Sequence, residues 1–194
     1  MSSHRLLIIA GTSGVGKSTL SARVASALGF SKIVSTDTIR ETLRTQFNRE
    51  QNPALHRSSF EPAGSDAIED WHQTAAVLSE AISAVVQRAA TKSSDLLLEG
   101  VHIIPSEDII ANWTSSGGKS CGIVLRVDDE DIHRNFIRSR EKHNSKGVEH
   151  YLGNLDRIRQ IQNQMIRDAE NIGWLSIDSS TDEDPIGLIE DSFK

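Results

Sequence analysis

The chain has 194 residues, 37% of them hydrophobic and 25% charged, with 27 acidic residues against 21 Lys and Arg for a net charge of −6. That length suits one α/β domain, 1–194, with a sizeable core, and the acidic balance argues against nucleic acid as a main partner. A single cysteine, Cys121, excludes a disulfide framework or a cysteine-based metal site and fits a reducing, cytoplasmic setting, while the apolar run L-L-I-I-A at 6–10 is too short for a signal-peptide core or a membrane span.

In chain order, apolar runs alternate with segments of helical period, which predicts a parallel sheet with helices on both faces. A strand is expected over 5–10 and a helix over 17–28, stopped by Gly29. A short strand at 32–35 leads into a helix over 38–47. Residues 48–66 hold two of the four prolines and no clean period, and read as a surface segment over the site, with 45–66 as the substrate-covering part. A single longest helix is expected over 67–90, then a buried strand at 96–99, a helix at 106–113 and a strand at 122–127. A helix over 129–141 should run into a mobile loop at 142–147, making 138–150 lid-like. A helix at 151–170, a strand at 174–177 and a helix at 184–193 complete the chain.

Between the first strand and helix stands G-T-S-G-V-G-K-S-T at 11–19. This is the G-x-x-x-x-G-K-[ST] phosphate-binding loop in its confirming context, strand before and helix after. Glycines let the backbone turn tightly enough to offer N–H groups to phosphate oxygens, and the positive end of the following helix points at the same place. Gly11, Thr12, Ser13, Gly14, Val15, Gly16, Lys17, Ser18 and Thr19 are thus the expected nucleotide-binding residues, with ATP and Mg²⁺ as the cofactors. Lys17 should reach the β and γ phosphates and Ser18 should ligate Mg²⁺. The later G-G-K-S at 117–120 is not a second such loop, because Trp113 stands where the required glycine would be. Five short parallel strands with this loop describe a three-layer P-loop NTPase fold of the nucleoside-monophosphate-kinase and shikimate-kinase type.

Ligands of open α/β sheets bind beyond the carboxyl ends of the strands. Asp37, at the end of the second strand, should therefore face the γ phosphate and accept a proton from an acceptor hydroxyl or hold Mg²⁺ through water; its competing role is that of a helix N-cap. Arg40, one turn on, could hold an anionic substrate. Glu99 ends the third strand as an acidic residue able to support Mg²⁺ or substrate, Gly100 would admit close approach of a ligand, and His102 could bind an anion. The helix over 129–141 begins acidic and ends basic; Arg134 and Arg138, four apart on one face, are the expected phosphate clamps, with Arg157 and Arg159 as weaker candidates.

Taken together, G-V-G-K-S-T at 14–19, S-T-D-T-I-R-E at 35–41, P-A-L-H-R-S-S-F at 53–60, L-E-G-V-H at 98–102 and I-R-Q-I-Q at 158–162 resemble the 2-phosphoglycerate kinase family. The resemblance covers the catalytic core without the N-terminal ATP-cone-like domain of the archaeal enzymes. It implies ATP-dependent phosphorylation of 2-phosphoglycerate to 2,3-bisphosphoglycerate, and makes His56, Arg57, Ser58 and Ser59 candidates for gripping the substrate's phosphate and carboxylate. The expected partner is a small anionic metabolite, with no nucleic acid and no membrane, acted on by a monomer or homodimer. Two other readings share the loop: a zeta-toxin-like nucleotide-sugar kinase, and a non-catalytic nucleotide-binding regulator.

Overall fold

The structure is a computed structural model describing residues 3–194. In chain order the elements are β1 (Arg5–Ala10), α1 (Lys17–Leu28), β2 (Ile33–Ser35), α2 (Thr36–Arg44), a 3-10 turn (Pro53–His56), α3 (Ala67–Ala76), α4 (Ser79–Thr91), β3 (Leu96–Gly100), α5 (Glu107–Ser115), β4 (Lys119–Arg126), α6 (Glu130–Arg140), α7 (Ser145–Gly153), α8 (Leu155–Asn171), β5 (Leu175–Asp178) and α9 (Pro185–Asp191). The strands form one five-stranded sheet in the order β2-β3-β1-β4-β5, parallel throughout.

Strand β1 lies at the centre and is buried on both faces, as parallel strands covered by helices must be. Leu6, Ile8 and Ala10 face a core completed by Trp71 of α3, Ile82 and Val86 of α4, and Ile158, Ile161 and Met165 of α8. Leu7 and Ile9 face a second core with Leu20 and Val24 of α1 and Ile189 of α9. The sheet with these two helical layers is the expected three-layer arrangement. Register brings the carboxyl ends together: Ile9 lies beside Glu99 and Ala10 beside Gly100, and Ser35 lies beside Glu99 on the other side.

Three expected elements differ. The single helix over 67–90 is two helices that break at Val77 and Leu78. Neither is Pro or Gly, and Leu78 is fully buried, so the apolar period runs through the break and hides it; the longest helix is instead α8, with 17 residues. The expected loop at 142–147 contains the start of α7, where the Asn144 side chain caps the N–H of Gly147 at 3.1 Å. Residues 48–66 are not wholly superficial, because Leu55, Ser59 and Phe60 are buried.

Asp70 of α3 anchors that segment. Its fully buried carboxylate accepts from Arg157 of α8 at 2.5 Å and from the N–H of Ala63 at 2.9 Å, with Arg57 at 3.9 Å. Arg157 also donates to the carbonyl of Phe60 at 2.8 Å. Burial pushes the Asp70 carboxyl up, but the Ala63 N–H and the two guanidiniums outweigh it and hold the group below its ordinary value of 3.8. Its contribution is therefore complete at neutral pH and fades as pH falls below about 4. Asp70→Ala would strand two guanidiniums that keep 13% and 20% of their surface in water. We expect a loss of roughly 3 kcal/mol, the low end for breaking a buried pair, measured by urea denaturation at pH 7.

Candidate active site

The loop between β1 and α1 has the shape its glycines permit. Gly14 and Gly16 have φ of 85° and 90°, a region costly for residues with a Cβ. Val15 points down into the core and is fully buried. Helix α1 has Gly16 at its N-cap and no side-chain cap, so the first-turn N–H groups have no capping side chain and are available to an anion. The Thr12 hydroxyl is buried without a partner, and Lys17 folds back over the loop to donate from Nζ to the Thr12 carbonyl at 2.8 Å. Desolvation pulls the Lys17 pKa down, with Glu99 and Asp37 opposing and Arg140 adding to the fall. An uncapped helix start, a buried unpartnered hydroxyl and an ammonium in the loop are the donor set a polyphosphate requires. The residues 11–19 fit a nucleoside triphosphate.

Ser18 donates from Oγ to Oε1 of Glu99 at 3.4 Å. The hydroxyl and the carboxylate expected around Mg²⁺ therefore meet, and both are oxygen ligands suited to that ion. Among the described residues no group of three or more His, Cys, Asp or Glu gathers as a self-contained metal site, so a cation at Ser18 would share its ligands with phosphate and water.

Asp37 lies in the first turn of α2. Ser35 is the N-cap, accepting from the Asp37 N–H at 3.2 Å, which relieves the Asp37 carboxylate of capping and leaves its side chain 68% exposed. His102 Nδ1 lies 3.8 Å from Asp37 Oδ1 and 3.1 Å from the Thr36 hydroxyl. Desolvation lowers the His102 pKa to about 4; Asp37 opposes this, and Arg40 and Lys17 add to it. The ring is thus neutral at pH 7, and its Nε2 is buried without a partner. The close approach at Gly100 is to protein rather than ligand, since a Cβ there would overlap the Thr36 side chain.

The arginines are placed differently from expectation. Arg40 donates to the carbonyls of Leu55 and Arg57 at 3.0 and 2.9 Å, and Arg57 donates to Gln73 Oε1 at 2.7 Å. Both hold the 53–60 segment in place. His56 donates to the Phe47 carbonyl at 2.8 Å, the Ser58 N–H donates to Glu61 at 2.5 Å, and Ser59 is buried. Arg134 pairs with Glu130 at 2.6 Å and Arg138 donates to Asn135 at 3.3 Å; neither lines the cleft beside the phosphate loop. That cleft, of about 460 Å³, is lined by Lys17, Arg23, Phe136, Arg140, Ile177 and Asp182 among others. Arg140 is held by the Tyr151 hydroxyl at 2.9 Å, with its guanidinium over the same ring. Helix direction explains the change: the face carrying Phe136 and Arg140 is turned to the cleft, while Arg134 and Arg138 project from a different face. Arg23 and the turn after β5 carried no sequence signal.

An α/β sheet with a phosphate loop after its central strand, and carboxylates on the neighbouring strand end and helix start, defines a P-loop protein. The chain matches the family described as AAA domain over residues 6–99. It is 32% identical over 175 residues to a 2-phosphoglycerate kinase of Methanopyrus kandleri, covering 85% of this chain and 53% of that protein. It is 29% identical over 191 residues to one of Thermococcus kodakarensis, covering 94% and 64%. The chain thus spans between half and two thirds of the length of these relatives. Among solved structures, shikimate kinase from Acinetobacter baumannii in complex with shikimate aligns with a TM-score of 0.52 at 14% identity, covering 97% of this chain and 92% of that one. A gluconokinase from Sinorhizobium meliloti aligns at 0.50 and 14%, covering 100% and 91%. The fold is shared with these small P-loop kinases, and the chain is similar over most of its length to archaeal proteins named 2-phosphoglycerate kinase.

The neutral His102 has a measurable consequence. Its pKa falls from 6.5 unfolded to about 4 folded, so the unfolded chain binds the extra proton across that interval and stability drops as pH falls from 6.5 towards 4. One group can contribute up to about 1.4 kcal/mol per pH unit there. We expect His102→Asn, which can keep the Thr36 contact, to flatten this part of the stability profile measured by urea denaturation.

Proposed function

We propose that this chain is an ATP- and Mg²⁺-dependent kinase that phosphorylates a hydroxyl of a small anionic metabolite, with 2-phosphoglycerate as the acceptor and 2,3-bisphosphoglycerate and ADP as products. The carrying observation is the convergence of Lys17, Ser18, Glu99 and Asp37 at the carboxyl ends of the strands. The support for the acceptor is the name of the archaeal relatives.

In this reading the N–H groups of 13–19 and the ammonium of Lys17 hold the β and γ phosphates. Ser18, backed by Glu99, holds the cation, which when bound draws charge from the phosphate oxygens. Asp37, exposed and free of capping, orients the acceptor hydroxyl and takes its proton as the oxygen attacks the γ phosphorus and ADP leaves in line. The acceptor lies between Asp37 and the segment at 53–60. There Arg40 has Nη1 to spare, with only Glu41 near it at 4.0 Å, while Arg57, Ser58, Ser59 and His56 build the wall behind it. Arg140 is the arginine that closes on the phosphates, with Arg134 and Arg138 earlier on its helix. The remaining cleft beyond α1 receives the nucleoside.

Among the described residues no helix is long and apolar enough to cross a membrane, and the sole cysteine is free and buried; we place the protein in the cytoplasm, acting on a diffusible metabolite. Removing the Lys17 ammonium deletes a positive charge aimed at the transferring group. Lys17→Ala is expected to lower turnover about 100- to 1,000-fold with an unchanged far-UV circular dichroism spectrum. A coupled ADP-release assay across phosphorylated and hydroxylated small acids tests the acceptor. Turnover with a nucleoside-diphosphate sugar and with none of the acids would replace the metabolite reading by a nucleotide-sugar one.

A further inference from the structure

His133 belongs to none of the roles above, yet it touches the phosphate loop. It lies on α6 with no exposed surface, and its Nε2 is 2.8 Å from the carbonyl oxygen of Ser13. The ring also occupies the space beside Gly14: a Cβ there would come within 3.2 Å of His133 Nε2 and 2.6 Å of Ile137 Cγ1. Helix α6 is thus seated directly against the turn of the loop.

The peptide joining Ser13 to Gly14 is trans, and a trans peptide is planar with its C=O and N–H directed oppositely. Whatever holds the Ser13 carbonyl on one side therefore aims the Gly14 N–H to the other. A carbonyl accepts only, so the bond requires a proton on Nε2 and leaves Nδ1 bare. Nδ1 is buried with no partner, which fits a neutral ring with that tautomer. Desolvation lowers the His133 pKa, the bond to Ser13 opposing it and the charges of Arg159 and Lys17 adding to it. The ring thus supplies a donor without adding a charge behind the loop.

We propose that His133 is a positioning residue for nucleotide binding: by holding the Ser13 carbonyl outward it keeps the Gly14 N–H turned inward as a phosphate donor. This rests on the reading of residues 11–19 as the phosphate site. It places control of one loop donor on α6, the helix that ends at Arg140, so the loop and the cleft arginine ride on one rigid element.

The test compares His133→Leu, which fills the space without a donor, with His133→Gln, whose amide can reach the same carbonyl. Mg·ATP affinity is measured by isothermal titration calorimetry. We expect His133→Leu to weaken Mg·ATP about five- to tenfold, the scale of one hydrogen bond, and His133→Gln to stay within about twofold of the unmodified protein. Unchanged affinity in a folded His133→Leu, or equal loss in both variants, overturns the proposal. Should His133→Leu fail to fold, ¹⁵N-histidine NMR of the unmodified protein decides: an Nε2-protonated neutral ring supports it and an Nδ1-protonated ring overturns it. If the unmodified protein binds no Mg·ATP, the phosphate-site reading falls and takes this one with it.

Discussion

Everything at the site depends on a helix that starts without a cap. Helix α1 has no side chain to satisfy its first N–H groups, and such groups cost free energy when they find neither water nor an acceptor. The loop before it cannot relieve them, because its own turns at Gly14 and Gly16 direct the chain around the same hollow. The hollow is thus kept by what surrounds it: Val15 fixed in the core, Lys17 tied to Thr12, and His133 held on Ser13. A site of this kind is pre-formed, so little ordering remains to be done when a ligand arrives.

The segment at 53–66 is built by a different device. Residues 53–66 have little regular structure and would be loose if they relied on their own turns. They are instead fastened by side chains of neighbouring elements, Arg40 from α2 and Arg157 from α8, both donating to main-chain carbonyls. Asp70 then balances the charge of Arg157 and Arg57 in the interior. On the proposed function, specificity for the acceptor would rest on a segment whose path is set from outside it.

Much of this could be read from residue order. β1, α1 and the Gly29 stop lie where expected because loop syntax, a short apolar run and a C-terminal glycine are local signals. The meeting of Ser18 with Glu99 was also legible, since Ser18 opens the helix that follows β1, Glu99 lies at the end of β3, and register sets those two strand ends side by side. The arginines were not. Whether a guanidinium finds a phosphate, a carboxylate or a carbonyl depends on where a distant segment passes, and the paths of 53–66 and α6 are tertiary facts. The same limit hid the break at Val77 and Leu78, where the apolar period continues although the axis does not, and α7, whose short helix depends on a cap from Asn144. His133 stood in plain view in a charged run, but only the packing of α6 on the loop gives it a partner.

One detail of Arg40 reaches further than the contacts it makes. Its hydrogen bonds go to neutral carbonyls, and its only near carboxylate in an ion pair is Glu41 at 4.0 Å. A cation that spends its donors on dipoles keeps most of its monopole. In a chain of net charge −6, the guanidinium therefore stands as a cation of its own beside the exposed Asp37 carboxylate. Its field acts over about a Debye length, roughly 8 Å at physiological salt. On the proposed function, that charge would favour the anionic end of a small acceptor on the Arg40 side and leave its hydroxyl to Asp37.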